Sequence, residues 1–149
     1  MKSALISLVL SSALLASCGD DQDPEAAAAF WNQIQTDDYR SWQRAPGYES
    51  RVESRSAHGD AVDIFVNQVV VDALADETTS FWPTGSVIVK DGYEGSDLTF
   101  VAGMEKLDSG WFWVEYNGDG DTLFSGAPTV CTGCHRIGDD WVRGFFLPS

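Results

Sequence analysis

The sequence predicts an α+β domain, in which a mostly antiparallel β-sheet is flanked by helices. Two observations support this class: an alanine-rich segment with apolar residues at helical spacing comes first, and several short segments rich in β-branched and aromatic residues follow it. The chain has 149 residues, of which 44% are hydrophobic, so one domain with a packed core accounts for most of it.

The charge balance argues against two classes of partner. The chain carries 23 acidic and 9 basic side chains, a formal net charge of -14. Phosphate recognition depends on surface lysine and arginine, so this composition argues against nucleic acid and against anionic lipid headgroups. A redox protein partner would instead present a basic patch, and its association would weaken with salt.

The first residues have the features of an export signal. Lys2 provides a positive charge, and residues 4–16 form an apolar stretch too short to span a bilayer as an ordinary helix. The stretch ends in Leu-Ala-Ser-Cys, which resembles a bacterial lipobox, where the cysteine becomes the lipidated first residue. We predict a lipoprotein signal peptide at residues 1–17, with Cys18 anchored at the periplasmic face of a bacterial membrane. The alternative is a plain secretory signal, and both lead to an oxidising compartment.

A tether and helical segments come next. Residues 18–25 are acidic, lack apolar periodicity and fit a flexible spacer, so the folded domain is predicted over residues 26–149. Residues 24–36 carry apolar side chains on one face and a proline near the start, which predicts a helix. The aspartates that follow are expected to cap a second short helix over residues 39–42.

The rest of the chain predicts four strands and two helices. Strands are expected at residues 61–67, 86–90, 98–106 and 110–117, a turn at residues 81–85, and loops at residues 49–59 and 118–121. Asn67 is predicted to cap a helix over residues 68–76, whose apolar residues form one stripe. A final helix is predicted over residues 139–146.

The most specific motif is Cys131-Thr132-Gly133-Cys134-His135, which has the C-x-x-C-H pattern of c-type haem attachment. Two thiols at this spacing can add to the two vinyl groups of one porphyrin, and the adjacent histidine can then bind the iron. Three alternatives are weaker. A thioredoxin-like pair belongs early in a βαβ unit, a zinc site would have only His58 as a further ligand, and a disulfide across two residues would be strained. We therefore predict one covalent haem c with His135 as the axial iron ligand.

The second axial position of that iron has no obvious ligand. No methionine, histidine or cysteine follows His135, so the position is either open or filled from upstream, where Met104 and His58 are the candidates. An open position indicates small-molecule chemistry or gas binding, whereas ligation by His58 indicates a six-coordinate electron carrier.

Six segments in a fixed order resemble the cytochrome P460 family, including its cytochrome c′-beta relatives. The segments are DYRSW at residues 38–42, DIFVN at 63–67, FWPTGSVIVK at 81–90, MEK at 104–106, GWFW at 110–113 and CTGCH at 131–135. Together they span about residues 38–142, which is nearly all of the predicted domain.

The resemblance implies a mostly antiparallel domain that often forms homodimers, with His135 on the proximal side of the haem and a pocket on the other. Lys90 matches the lysine that is joined covalently to the porphyrin edge in cytochrome P460, which oxidises hydroxylamine with nitric oxide as partner or intermediate. The relatives without that chemistry bind nitric oxide or carbon monoxide in an apolar distal pocket. One departure is that residues 60–63 contain no basic residue, whereas the family's enzymes carry one just before the first strand.

Three functions follow as hypotheses: a hydroxylamine or nitric oxide oxidoreductase, a non-catalytic gas-binding cytochrome, and a simple electron carrier. Glu94, Asp97 and Glu105 are candidates for a distal acid or base. Six aromatic residues are candidates for the pocket, with core packing as their default role: Phe65, Phe81, Trp82, Phe100, Trp111 and Trp113.

Overall fold

The structure is a computed structural model, and it describes residues 22–148. The predicted signal peptide, most of the tether and the lipidation of Cys18 therefore lie outside the described residues. Within the described range, no helix combines the length and apolar character needed to cross a membrane.

One antiparallel sheet of seven strands forms the framework. Its strands are β1 (Gln43–Arg44), β2 (Val52–Ser56), β3 (Gly59–Val66), β4 (Val87–Glu94), β5 (Asp97–Leu107), β6 (Gly110–Asn117) and β7 (Thr122–Gly126). The order is β1-β3-β4-β5-β6-β7, and β2 also pairs with β3. Three helices accompany it: α1 (Pro24–Thr36), α2 (Gln68–Ala75) and α3 (Thr129–His135). The predicted α+β class with an antiparallel sheet is confirmed.

Helix α1 covers one face of the sheet, which we call the α1 face. Phe30 and Ile34 are buried against alternate residues of the central strands, among them Val89 and Val101. The contact is close, because a Cβ on Gly103 would lie 2.4 Å from the ring of Phe30. The predicted helix over residues 24–36 is therefore confirmed with its bounds, and its apolar face is used as expected.

The opposite face, which we call the α2 face, is covered by α2 and by the C-terminal segment. Its buried residues are Val62, Ile64, Val66, Ile88, Met104, Trp111 and Trp113 from the strands, with Val142, Phe145 and Leu147 from the C-terminal segment. Asn67 caps α2 as predicted, since its side-chain oxygen accepts a hydrogen bond from the backbone N–H of Val70.

The predicted helix over residues 139–146 is wrong, and α3 lies earlier in the chain. Asp140, Trp141 and Gly144 have positive φ values of 42°, 72° and 112°, which a right-handed helix does not allow. The segment is instead a turn closed by a bridge between Asp139 and Val142.

Two further local predictions are corrected. The polar residues expected as a loop at 49–59 contain strand β2, which pairs along β3. The short helix after α1 is a single 3-10 turn (Tyr39–Ser41), and the side chain of Asp38 makes no capping hydrogen bond to it. Strand β7 has no counterpart among the predicted elements.

The start of the described chain is attached to β7. The backbone N–H of Ser125 donates to the side-chain oxygen of Gln22 at 3.1 Å, and the N–H of Asp23 donates to the Ser125 hydroxyl at 2.9 Å. The end of the predicted tether, residues 22–25, is thus held at the sheet edge, and its last two residues form the first turn of α1.

Candidate functional site

Helix α3 gathers the three residues of the C-x-x-C-H motif. Cys131, Cys134 and His135 occupy positions i, i+3 and i+4 of the helix, which share one side of its surface. Both cysteines are free thiols. The helix follows β7 directly, so the sheet edge fixes where the motif begins.

The turn after α3 is anchored by two tryptophans. The indole N–H of Trp82 donates to the carbonyl of Asp139 at 3.2 Å, and that of Trp111 donates to the carbonyl of Asp140 at 2.8 Å. The Asp140 carboxylate also accepts from Lys106 at 2.9 Å. Two of the three tryptophans expected near the pocket therefore position the turn that follows the motif.

That turn orients the ring of His135. Its Nδ1 lies 3.0 Å from the carbonyl of Trp141, which only accepts, so Nδ1 carries the hydrogen. Trp113 packs against the ring with centroids 4.6 Å apart. Burial lowers the pKa of His135 to about 4, and the carbonyl contact opposes this shift. The neutral ring therefore has its lone pair on Nε2, which is the state of a metal-binding histidine.

A cavity of about 790 Å³ lies between α3 and the α2 face. This volume is within the range of small-molecule and cofactor sites, roughly 300–1,000 Å³. Cys131, Cys134 and His135 line it together with Lys90, Met104 and His58. Its other polar lining residues include Glu53, Ser54, Ser56, Glu115 and Arg143. Candidate residues from four separate segments of the sequence therefore line the same cavity.

Lys90 reaches the cavity from the middle of the sheet. On β4 it pairs with Ile64 of β3 and Ala102 of β5, so its side chain lies on the α2 face. Burial, together with the positive charge of nearby Arg143, lowers the pKa of its ammonium group to about 8, and Glu115 partly opposes the shift. A substantial neutral fraction near pH 8 makes this amine a better nucleophile than an exposed lysine.

His58 and Glu115 form a pair at the cavity wall. The Nδ1 of His58 lies 2.7 Å from a carboxylate oxygen of Glu115, and both side chains are largely buried. Glu115 was not among the predicted site residues. It is two positions after Trp113 on β6, so strand alternation alone would have placed it on the same face.

Most of the other candidates lie away from the cavity. Glu94 and Asp97 flank the β4–β5 turn, and Glu105 is on the opposite side of β5 from Met104. Of the six aromatic candidates, only Trp113 is a lining residue: Phe65 packs on the α1 face, Phe81 is exposed, Trp82 and Trp111 anchor the turn, and Phe100 is not part of the lining. Tyr48, Phe124 and Phe145 supply aromatic lining that the sequence did not indicate.

The geometry weighs against the alternative roles of the cysteine pair. Burial raises the pKa of the Cys131 thiol to about 11, whereas a reactive dithiol needs a lowered pKa. Among residues 22–148, no three histidine, cysteine, aspartate or glutamate side chains converge to hold a metal ion. A haem iron needs fewer ligands from the protein, since the porphyrin supplies four of them.

The donor set fits a covalently attached haem. Two free thiols and one neutral imidazole with an available Nε2 lie on one helix surface and border a cavity of cofactor size. Comparison of the sequence with family profiles and with curated proteins finds no match.

Proposed function

We propose that this chain is an exported cytochrome of the c type, with one haem joined to Cys131 and Cys134 and with His135 as an axial iron ligand. The observation that carries the proposal is that the whole motif and the distant Lys90 border the same cavity. Resemblance to the cytochrome P460 family also supports it, through the order of six sequence segments that include the motif and Lys90.

The thiols have a simple role in this proposal. Each S–H adds across one vinyl group, forming a C–S bond and delivering its hydrogen to the other vinyl carbon, with no net oxidation. The free, separate state of Cys131 and Cys134 is the state that such addition requires. When bound, the haem supplies an iron that changes oxidation state and binds small ligands.

The proposed ligands are small nitrogen oxides and related molecules: hydroxylamine, nitric oxide and carbon monoxide. The cavity combines apolar walls with the polar groups of Lys90, His58 and Glu115, which can hold or exchange protons with a nitrogen–oxygen ligand. Oxidation of hydroxylamine to nitric oxide releases three electrons and three protons, so the enzymatic version needs an electron acceptor. The net charge of -14 favours a basic redox protein in that role.

We also propose two non-catalytic alternatives for the same site: a gas-binding protein of the cytochrome c′-beta type and a six-coordinate electron carrier. We further propose anchoring through Cys18 at the periplasmic face of a bacterial membrane, and a homodimeric state. The resemblance supports the dimer, and the lipobox-like residues 15–18 support the anchor.

The decisive experiment is expression with export and c-type haem maturation, followed by intact mass and the pyridine haemochrome spectrum. We expect one haem per chain, retained after denaturation. The variant Cys131→Ala/Cys134→Ala should lose all covalent haem, while the matched variant Thr132→Ser, on the same helix, should keep it. A colourless mature protein with the intact motif would contradict the proposal.

A second measurement addresses Lys90. A bond from its amine to the porphyrin replaces one C–H and one N–H with a C–N bond, so two electrons pass to an oxidant such as peroxide. Proteolysis should then yield a haem peptide containing Lys90, and Lys90→Arg should abolish it. Lys106, the other lysine in residues 22–148, provides the internal control because Asp140 holds it in an ion pair. Haem confined to the Cys131 peptide would favour the gas-binding or electron-carrier version.

A further inference from the structure

We propose that His58 is a second protein ligand to the haem iron, opposite His135, oriented by Glu115 and displaced when a small ligand binds. This inference rests on the proposed haem attachment. It specifies the resting state of the site and how that state controls access to the iron.

The spacing of the two rings carries the inference. The ring centroids of His58 and His135 are 6.4 Å apart. Two imidazoles bound on opposite sides of one first-row metal have centroids about 6–6.5 Å apart, because each metal–nitrogen bond is about 2.0–2.1 Å and the bonded nitrogen lies about 1.1 Å from its centroid. The angle of 69° between the planes is acceptable, since each ring can rotate about its own bond.

Both rings also have the same nitrogen, Nδ1, held in a hydrogen bond. Nδ1 of His135 is held by the Trp141 carbonyl, and Nδ1 of His58 is held by the Glu115 carboxylate. Both partners are acceptors, so in the neutral rings the lone pair is on Nε2 in each case. A histidine that binds a metal usually donates its other N–H to a carboxylate or a carbonyl, which is the arrangement at both positions. These are the two histidines of the whole chain.

The position of His58 is fixed by close backbone packing. His58 lies in the turn between β2 and β3, and a Cβ on Gly92 of β4 would lie 2.0 Å from its carbonyl oxygen. Gly59 has φ of +101°, and a Cβ there would lie 2.7 Å from the carbonyl oxygen of Tyr93. Two glycines thus allow the turn to press against β4, which keeps the imidazole at the cavity wall.

Other lining residues are weaker candidates for this position. Met104 is buried in the core of the α2 face, where its side chain packs among apolar neighbours. Lys90 pairs with Ile64 in the sheet. No described hydrogen bond orients its amine in the way that Glu115 orients the His58 ring.

The test uses the haem-loaded protein and its ferric electron paramagnetic resonance spectrum. We expect a low-spin spectrum of the bis-imidazole type for the native chain and a high-spin spectrum for His58→Ala. Added imidazole should restore the low-spin signal to His58→Ala, which separates loss of a ligand from misfolding. A native protein that is high-spin, or a His58→Ala variant that stays low-spin, would overturn the inference.

Carbon monoxide binding to the reduced protein tests displacement. The apparent affinity of an iron that is mostly occupied by His58 is reduced by the free fraction, so His58→Ala should bind carbon monoxide about tenfold more tightly. Glu115→Gln should shift affinity in the same direction, whereas Glu94→Gln, at the β4–β5 turn and away from the cavity, should leave it unchanged. Equal affinity in the native protein and His58→Ala would count against displacement.

Haem content separates the two proposals. A protein that matures with no covalent haem contradicts the proposed function and removes the basis of this inference. A protein with one covalent haem and a high-spin native spectrum contradicts the His58 assignment alone.

Discussion

The two faces of the sheet differ in whether a buried charged side chain has a partner of opposite charge. On β4, the neighbouring residues Lys90 and Asp91 point to different faces. Asp91, fully buried on the α1 face, accepts hydrogen bonds from the Tyr39 hydroxyl at 2.6 Å and from Arg40 at 2.7 Å. Lys90, on the α2 face, forms no ion pair with any described carboxylate.

This difference separates stability from function within one element. The α1 face is completed by the chain itself, with an apolar helix and a satisfied carboxylate. The α2 face leaves a cavity bordered by an amine, two imidazoles and two thiols. A buried ionisable group without a described partner, as Lys90 is, is costly, and such groups occur mainly where a ligand or a reaction uses them.

The largest expected effect on stability comes from the α1 face. Phe30→Ala removes a ring that fills the space above Gly103, and should lower the free energy of unfolding by about 3–5 kcal/mol. Urea denaturation gives the value, and the spectrum of the proposed haem should not change. Ile137→Ala is the matched control, since Ile137 is 72% exposed and its truncation should cost less than about 0.5 kcal/mol. Equal losses in the two variants would show that α1 does not complete this face.

A smaller loss is expected from the buried carboxylate. Asp91→Asn keeps one acceptor for Tyr39 but removes the charge that faces Arg40, so we expect a loss of about 1–3 kcal/mol. Arg40 is 44% exposed and can turn to water, which limits the cost. Chemical denaturation measures it. A gain in stability would show that burial of the Asp91 charge is not offset by its partners, as is expected for Lys90.

The change expected at Lys90 has the opposite sign and fades with pH. Because the folded pKa of Lys90, about 8, is below its ordinary 10.5, the unfolded chain binds more protons between these values, and stability rises with pH across that window. Lys90→Met avoids the cost of burying the ammonium group and should be more stable below pH 8, by at most about 3 kcal/mol. The advantage should shrink from pH 8 to pH 10.5.

Urea denaturation at several pH values measures this difference. The comparison is made in the Cys131→Ala/Cys134→Ala background, so that no porphyrin bond alters the amine. An advantage of Lys90→Met that does not vary with pH would show that the ammonium is not buried at a cost.

Local patterns were sufficient for much of the fold. The helical spacing of α1 and the run of aromatic and β-branched residues in β6 predicted both elements with their bounds. The C-terminal segment was mistaken for a helix, since its apolar residues have helical spacing while left-handed Asp140 and Trp141 break it. Composition does not show a positive φ at a residue other than glycine.

The site was only partly predictable. The spacing of the cysteine motif and the resemblance of the β4 segment indicated Lys90 and His135, and the structure brings both to one cavity. The pairing of His58 with Glu115 joins residues 57 positions apart, and it depends on how β2, β3 and β6 are arranged around the cavity. No local pattern carries that information.

The attachment of Gln22 and Asp23 to Ser125 fixes the point on the domain where the preceding chain segment begins. If Cys18 is acylated as we propose, three residues lie between it and Gln22. The four Cα–Cα steps from Cys18 to Gln22 can span at most about 14 Å. Under that proposal, the β7 edge, three residues before α3, would lie close to the bilayer.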